Sequence, residues 1–305
     1  MFQHIEVDKF EHDEVQCECD QFTGRANGGD LSILRRNEVI MSFSDYSAQP
    51  TCPHNARTQK TRSTPSTDKV IASFNTWAFK REQPSDVDLL SNIVRKQINN
   101  GSPIQFVLYW GKGPRNRTAL PDLQCLDYLM AFADRVKSVY EPGAHLTLIY
   151  TDTHAALNGH SAANTQQYFA GIEAAAAERG FGQCRLGDLV RKFRSRGSHE
   201  ADHSGRGAML SNLTRSASRW YRGGGDAEAG AVAYYDMNMV EKHVIEAAFP
   251  QSIFVTFNGS DLRALFPDNL PIFYMYSLRK GFGVKPWFID DAIESLAQPG
   301  AGQIA

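Results

Sequence analysis

A glycine-flanked basic segment is the first part of this chain with chemistry in it. Gly111-Lys112-Gly113-Pro114-Arg115-Asn116-Arg117 brings Lys112, Arg115 and Arg117 together between two apolar-to-polar transitions. The glycines allow a backbone to approach a ligand closely, and the cations supply charge and fixed N–H donors for a phosphate or carboxylate. Walker spacing and its Lys-Ser/Thr pair are missing, so this is no ATP loop; a solvated basic turn would have the same composition. A second segment is Thr151-Asp152-Thr153-His154, with Asn158-Gly159-His160 behind it. Asp152 could orient an amine or accept a proton, and His154 could serve as acid or base near neutral pH. A capping aspartate with surface histidines is the plainer alternative. The third is Trp77-Ala78-Phe79-Lys80-Arg81-Glu82-Gln83-Pro84, where Lys80, Arg81 and Glu82 beside two aromatics suit a polar ligand or a solvated strand end.

These segments are useful only if the fold gathers them. Ile104–Trp110 and His145–Tyr150 are short, apolar and bounded by Gly or Pro, as buried strands are. Ile253–Phe257 and Ile272–Tyr276 read as two later strands. Helical patterns are expected over 85–100, opened by Ser85-Asp86, and over 121–140, 163–179, 186–195, 208–222 and 227–248, with a loop at 196–207. Lys69–Phe74 is a short apolar stretch. Strands alternating with helices imply βαβ units, so the fold class is α/β: a Rossmann-like, largely parallel sheet flanked by helices. In such a sheet, ligands collect beyond the carboxyl ends of the strands, which is where the first two segments fall.

The expected organisation is a polar N-terminal arm or linker over 1–65, a catalytic domain over 66–290 and a frayed tail over 291–305. The first twenty residues carry seven acidic side chains against one basic, and 46–69 are rich in Ser, Thr, Pro, Asn and Gln. With 305 residues, 42% of them hydrophobic, and a net charge of −2, the composition excludes collagenous and wholly disordered classes and carries no general nucleic-acid signature. No apolar run approaches the roughly 18 residues of a membrane span, and the N-terminus lacks signal-peptide features, so a cytoplasmic protein is expected. Residues 185–222 nevertheless hold eight Arg and one Lys against three acids, a local anion field or a solvated helix face.

Metal ligation is not expected. Cys17, Cys19, Cys52 and His54 could supply four soft ligands, but without the usual tight Cys-x2-Cys turns. His199-Glu200-Ala201-Asp202-His203 matches the zinc-protease pattern, yet it lies among Gly, Ser and Arg in loop chemistry, where the two histidines need not share a helix face. The odd cysteine count argues against a disulfide framework, and Cys125 and Cys184 lie among apolar neighbours as core residues do.

Several segments, in this order, resemble the pyoverdine/dityrosine biosynthesis family, the isonitrile synthases. Lys112-Gly113-Pro114-Arg115-Asn116 and Leu120-Pro121-Asp122 occupy the places of that family's Lys-Ser-Pro-Asn-Arg-type loop and Leu-Pro-Asp helix start. Tyr140-Glu141-Pro142-Gly143-Ala144-His145-Leu146-Thr147 leading to Thr151-Asp152-Thr153 is similar to its Pro-Gly-Ala-x-Leu-Thr strand entry and Ser-Asp-Gly strand end. Phe249-Pro250 and Lys285-Pro286-Trp287-Phe288 resemble later elements. The resemblance covers about 103–288. It implies a Rossmann-like fold and condensation of an amino acid's nitrogen with a phosphorylated pentulose, without metal, nucleotide or other cofactor.

On that resemblance, Lys112 and Arg115 would hold phosphate or form the imine, Asp152 would handle protons, and Asp122 and Trp287 would join the substrate site. The departures are Tyr109-Trp110 for Phe-Pro, Gly113 for Ser, Val255-Thr256-Phe257 for Ser-Ile-His, and Phe288 for the final His. Partners are then an amino acid and a sugar phosphate, with neither nucleic acid nor membrane, and a homodimer is open. A phosphate-ester or nucleotide-dependent transferase and a non-catalytic ligand-binding protein remain alternatives.

Overall fold

The architecture follows from which residues of each strand are apolar. The computed structural model describes residues 64–111, 115–193 and 206–276. Five strands, β1 (Ile104–Trp110), β2 (Ala144–Tyr150), β3 (Gly182–Arg185), β4 (Ile253–Thr256) and β5 (Ile272–Tyr274), form one sheet in the order β3-β2-β1-β4-β5. Every pairing is parallel, with Phe106 opposite Leu146 on one side and Ile253 on the other. The fold is therefore α/β and Rossmann-like, as expected from the alternation of elements.

Side chains alternate across a strand, and β1 shows what that does here. Phe106, Leu108 and Trp110 enter a core shared with α1 (Thr67–Phe74), α2 (Val87–Asn99), α3 (Leu120–Lys137) and α5 (Ala162–Glu178). Val107 and Tyr109 face the opposite side, against α6 (Leu186–Phe193) and α8 (Ala227–Ala248). Near-continuous apolar strands are the consequence of covering both faces. A third cluster joins α7 (Arg206–Trp220) to α8 through Met209, Leu213, Tyr234 and Tyr235.

Local chemistry sets several element ends. Lys69–Phe74 is helical, because the Ser66 hydroxyl accepts from the Lys69 N–H and opens α1 upstream. Asp86 caps α2 by accepting from the Leu89 N–H at 3.0 Å, with a left-handed backbone at φ 50°. Asp86→Ala is expected to lower the unfolding free energy by about 1 kcal/mol in urea denaturation, and Asp86→Gly by less, since glycine tolerates that backbone. An equal loss for both would assign the effect to the side chain alone.

Two elements differ from expectation. β3 was not anticipated: Gly182-Gln183-Cys184-Arg185 has no apolar run, and all four residues are half-buried at the edge of the sheet. Likewise α4 (Asp152–Leu157), where the sequence pattern assigns no element, begins directly at the end of β2. Cys125 is fully buried, while Cys184 is half-buried on the edge strand, where burial first, and then Asp188 and Asp152, push its thiol up to about 11. The arm over 1–63, the pair of metal-like patterns at Cys17/Cys19/Cys52/His54 and His199/His203, most of the 196–207 loop and the tail lie outside the described residues. No helix of the described residues is long and apolar enough to cross a membrane.

Candidate functional site

Strand order decides where the site is. The chain leaves β1 through α3 on one face and reaches β4 through α6 and α8, which pack on the other face, with α7 packed on α8. A crevice opens at such a reversal, beyond the carboxyl ends of β1 and β4. The described residues of the three candidate segments follow β1, follow β2 and lie against the end of β5.

On the α3 face stands a buried polar network. Trp110 closes β1 and its indole N–H donates to the Tyr168 hydroxyl at 3.3 Å. Tyr168 on α5 donates in turn to Asp122 Oδ1 at 2.8 Å, and Arg115 Nη2 donates to the same oxygen at 2.9 Å. Asp122 Oδ2 accepts from the Ala119 N–H at 2.7 Å, which caps α3. Burial raises the Asp122 carboxyl above its ordinary value; the Arg115 charge and the Ala119, Tyr168 and Arg115 hydrogen bonds offset this only in part. Burial likewise holds the Tyr168 phenol well above its ordinary range. Arg115 is thus fixed at the start of the loop, Arg117 is exposed beside it, and Lys112 and Trp287 lie outside the described residues.

On the α8 face the groups are different. Thr153 and His154, in the first turn of α4, converge on Glu241 of α8. Thr153 Oγ1 donates to Glu241 Oε1 at 2.8 Å, and His154 Nε2 lies 2.7 Å from Glu241 Oε2. Glu241 is 1% exposed and His154 23%, so the carboxylate is inside and the imidazole is at the rim. Burial alone would lower the imidazole's pKa; the charge and hydrogen bond of Glu241, then Asp152, more than reverse this, and His154 titrates above its ordinary value. Tyr109 at the end of β1 also faces Glu241, its phenol held well above its usual range by burial first and by that carboxylate second.

Asp152 itself bridges two elements. Its Oδ1 accepts from the Gly187 N–H of α6 at 2.9 Å. A Cβ at Gly187 would come within 2.9 Å of Asp152 Oδ2, so glycine permits the close approach. The expected strand-end aspartate therefore ties β2 to the first turn of α6. Glu241 was not anticipated, because it sits mid-helix, 87 residues from His154, and no spacing rule connects them.

Lys80, Arg81 and Glu82 belong to the segment against the end of β5. The Arg81 N–H donates to the Tyr274 carbonyl at 2.8 Å, and Lys80 bridges antiparallel to Met275. Lys80 is buried, with Nζ 4.6 Å from the centre of the Trp77 ring and 3.3 Å from Gln83 Oε1. Glu82 accepts from the Ser260 N–H and hydroxyl at 3.1 and 2.6 Å and so caps the 3-10 helix Ser260–Leu265 after β4. In the basic stretch, Arg185 pairs with Glu173 at 2.5 Å, Arg191 with Asp188, and Arg206 with Asp236 at 3.7 Å. Part of that positive field is neutralised locally.

No family model matches the chain, and no curated protein matches it. Solved structures do. The PvcA protein from Pseudomonas aeruginosa superposes with a TM-score of 0.51 at 20% identity, over 73% of this chain and 87% of that one. The fold is similar to that of PvcA. Tyrosyl-tRNA synthetases match less well: that from Pyrococcus horikoshii, complexed with L-tyrosine, has a TM-score of 0.39 at 14% identity over 65% of this chain and 52% of its own. The synthetase from Aeropyrum pernix has 0.35 at 12% identity, over 69% and 61%. At these identities the likeness is one of fold, and it extends over most of PvcA.

Proposed function

We propose that the protein is a biosynthetic enzyme for small molecules, condensing the amine of an amino acid with a phosphorylated pentulose in the manner of the isonitrile synthases. The observation that carries this reading is that two unlike groups follow the adjacent parallel strands β1 and β2. An arginine fixed by a buried acid follows β1, and a histidine backed by a buried carboxylate follows β2. A sugar phosphate needs the first, and an amino-acid ammonium that must become a nucleophile needs the second. The fold shared with PvcA supports the reading, as does the sequence resemblance over 103–288.

In this scheme Arg115 and Arg117 bind phosphate with Lys112, whose amine is also suited to an imine with the pentulose carbonyl. Asp122 keeps Arg115 in place, His154, with Asp152 beside it, is the proton-handling side, and Lys80, Arg81, Glu82 and Trp287 are assigned to substrate binding. No metal, nucleotide or other cofactor is assigned a role. A cytoplasmic enzyme meeting both metabolites is the corresponding location.

The test is to incubate the protein with amino acids and ribulose 5-phosphate and to follow products by mass, with thermal shift against sugar phosphates alongside. A stabilising shift is expected, and Arg117→Ala should weaken sugar-phosphate binding about tenfold or more, the worth of one charge-assisted hydrogen bond. Absence of both product and shift with every pair would overturn the reading.

A further inference from the structure

We propose that Glu241 is a positioning residue that holds His154 with Nε2 toward the protein and Nδ1 toward the crevice, making His154 the group that carries the proton, while Asp152 serves as an anchor for α6. The proton-carrying role rests on the function proposed above; the dyad itself rests on geometry alone.

Both oxygens of Glu241 are committed, Oε1 to the Thr153 hydroxyl and Oε2 to His154 Nε2. A buried carboxylate can only accept when ionised, so the imidazole nitrogen facing it carries the hydrogen. The neutral ring is then the Nε2–H tautomer, and its lone pair is on Nδ1. Among the described residues Nδ1 makes no hydrogen bond, while the side chain keeps 23% of its surface exposed. Tyr234 of α8 flanks the ring nearly parallel, at 14° and 6.4 Å between centres, and its own hydroxyl is bonded to Asn158 Oδ1. The ring is thereby held from one edge and one face.

Asp152 is spent differently, since Oδ1 accepts from the Gly187 N–H. The charged and titratable groups that face the imidazole are Glu241 and Tyr234 from α8 and Asp152 from its own helix. From α6 the Gly187 N–H reaches Asp152, and α5 makes no ion pair or hydrogen bond with the ring among the described residues. Tyr109 of β1 faces Glu241 rather than the ring.

The step is a simple transfer. An N–H bond of the substrate ammonium breaks, its electron pair stays on the amine nitrogen as the nucleophile, and the proton joins Nδ1. The resulting imidazolium is matched by the Glu241 carboxylate, which does not itself take the proton. Because Glu241 and Asp152 raise the imidazole's pKa, the basic form grows as pH rises through that raised value, giving the acid limb of kcat/KM. Neutralising Glu241 removes the largest raising influence and moves the limb to lower pH.

Long-range 1H–15N NMR of the full chain tests the dyad without any substrate. The expected result is an Nε2–H neutral tautomer and a His154 pKa above the ordinary value of about 6.5, falling by about one pH unit or more in Glu241→Gln. Glu241→Asp, which keeps the charge, should return part of the shift, and it stands in if Glu241→Gln does not fold. An Nδ1–H tautomer, or a titration indifferent to residue 241, overturns the proposal. With turnover in hand, His154→Gln should lower kcat about 100-fold or more with KM little changed, and Glu241→Gln should displace the acid limb in step with the NMR value. Turnover that survives His154→Gln also overturns it. Lack of turnover by the unaltered protein removes the condensation reading and leaves the NMR result to decide the dyad.

Discussion

Asp122→Ala is expected to lower the unfolding free energy by about 3–5 kcal/mol, a large part of the roughly 5–15 kcal/mol a domain of this kind possesses. The side chain is fully buried and accepts three hydrogen bonds, from Ala119, Arg115 and Tyr168. Truncation leaves the Arg115 charge and the Tyr168 hydroxyl facing a gap and uncaps α3. Urea denaturation measures the loss, and sugar-phosphate binding should weaken with it, since Arg115 is no longer held. Asp122→Asn separates the charge from the shape. Because burial dominates, the folded carboxyl titrates above 3.8, its unperturbed value. Proton binding then favours the folded state below that ordinary value, and the advantage is lost as pH rises through the folded one. The deficit of Asp122→Asn should accordingly be largest in acid and shrink as pH rises through this window. A deficit that grows with pH would mean that the Arg115 pair outweighs burial.

Phe132→Ala is expected to cost about 3–5 kcal/mol, the range for truncating a buried phenylalanine. Its ring centre lies 5.8 Å from that of Phe74, 5.4 Å from Phe79, 4.9 Å from Phe106 and 5.6 Å from Phe273. One side chain on α3 therefore connects α1, the segment carrying Lys80, β1 and β5. The contacts with Phe79 and Phe106 are edge-to-face, the arrangement that aromatic quadrupoles favour. Phe132→Leu should lose less than half as much, because it keeps most of the apolar volume. A loss under about 1 kcal/mol for the alanine variant would show that the cluster closes over the cavity, and the assignment of a central role to this ring would fail.

The two variants also bear on how the sites relate. Phe79 and Lys80 are adjacent in a segment hydrogen-bonded to Tyr274 and Tyr276, and the Tyr128 hydroxyl of α3 reaches the Ala78 and Phe79 carbonyls at 3.4 Å. Loss of packing at Phe132 should therefore be felt at the β5 end of the candidate site. Asp122 acts at the β1 end instead.

Much of this molecule is readable from local pattern. The apolar strands Ile104–Trp110 and His145–Tyr150, the helix opened by Asp86 and the long helices after β1 and β2 follow from periodicity, caps and boundaries, which depend on neighbours in sequence. The parallel α/β class follows from their alternation, and so does the expectation that residues just after β1 and β2 lie at the ligand-collecting edge. Edge strand β3 was invisible because a half-buried strand of Gly, Gln, Cys and Arg needs no hydrophobic run.

Tertiary structure alone decided which side chains meet. Nothing in the sequence joins Glu241 to His154, or Tyr168 to Asp122, since each pair belongs to separate helices brought together by burial against the sheet. It also divided the Asp152–His154 segment, sending the aspartate to the Gly187 N–H of α6 and the histidine to a buried carboxylate. The sequence by itself determined the elements, their order and the edge at which chemistry is expected. The partners, and with them the charge and tautomer of each candidate group, depend on contacts between residues far apart in the chain, which only the packed fold specifies.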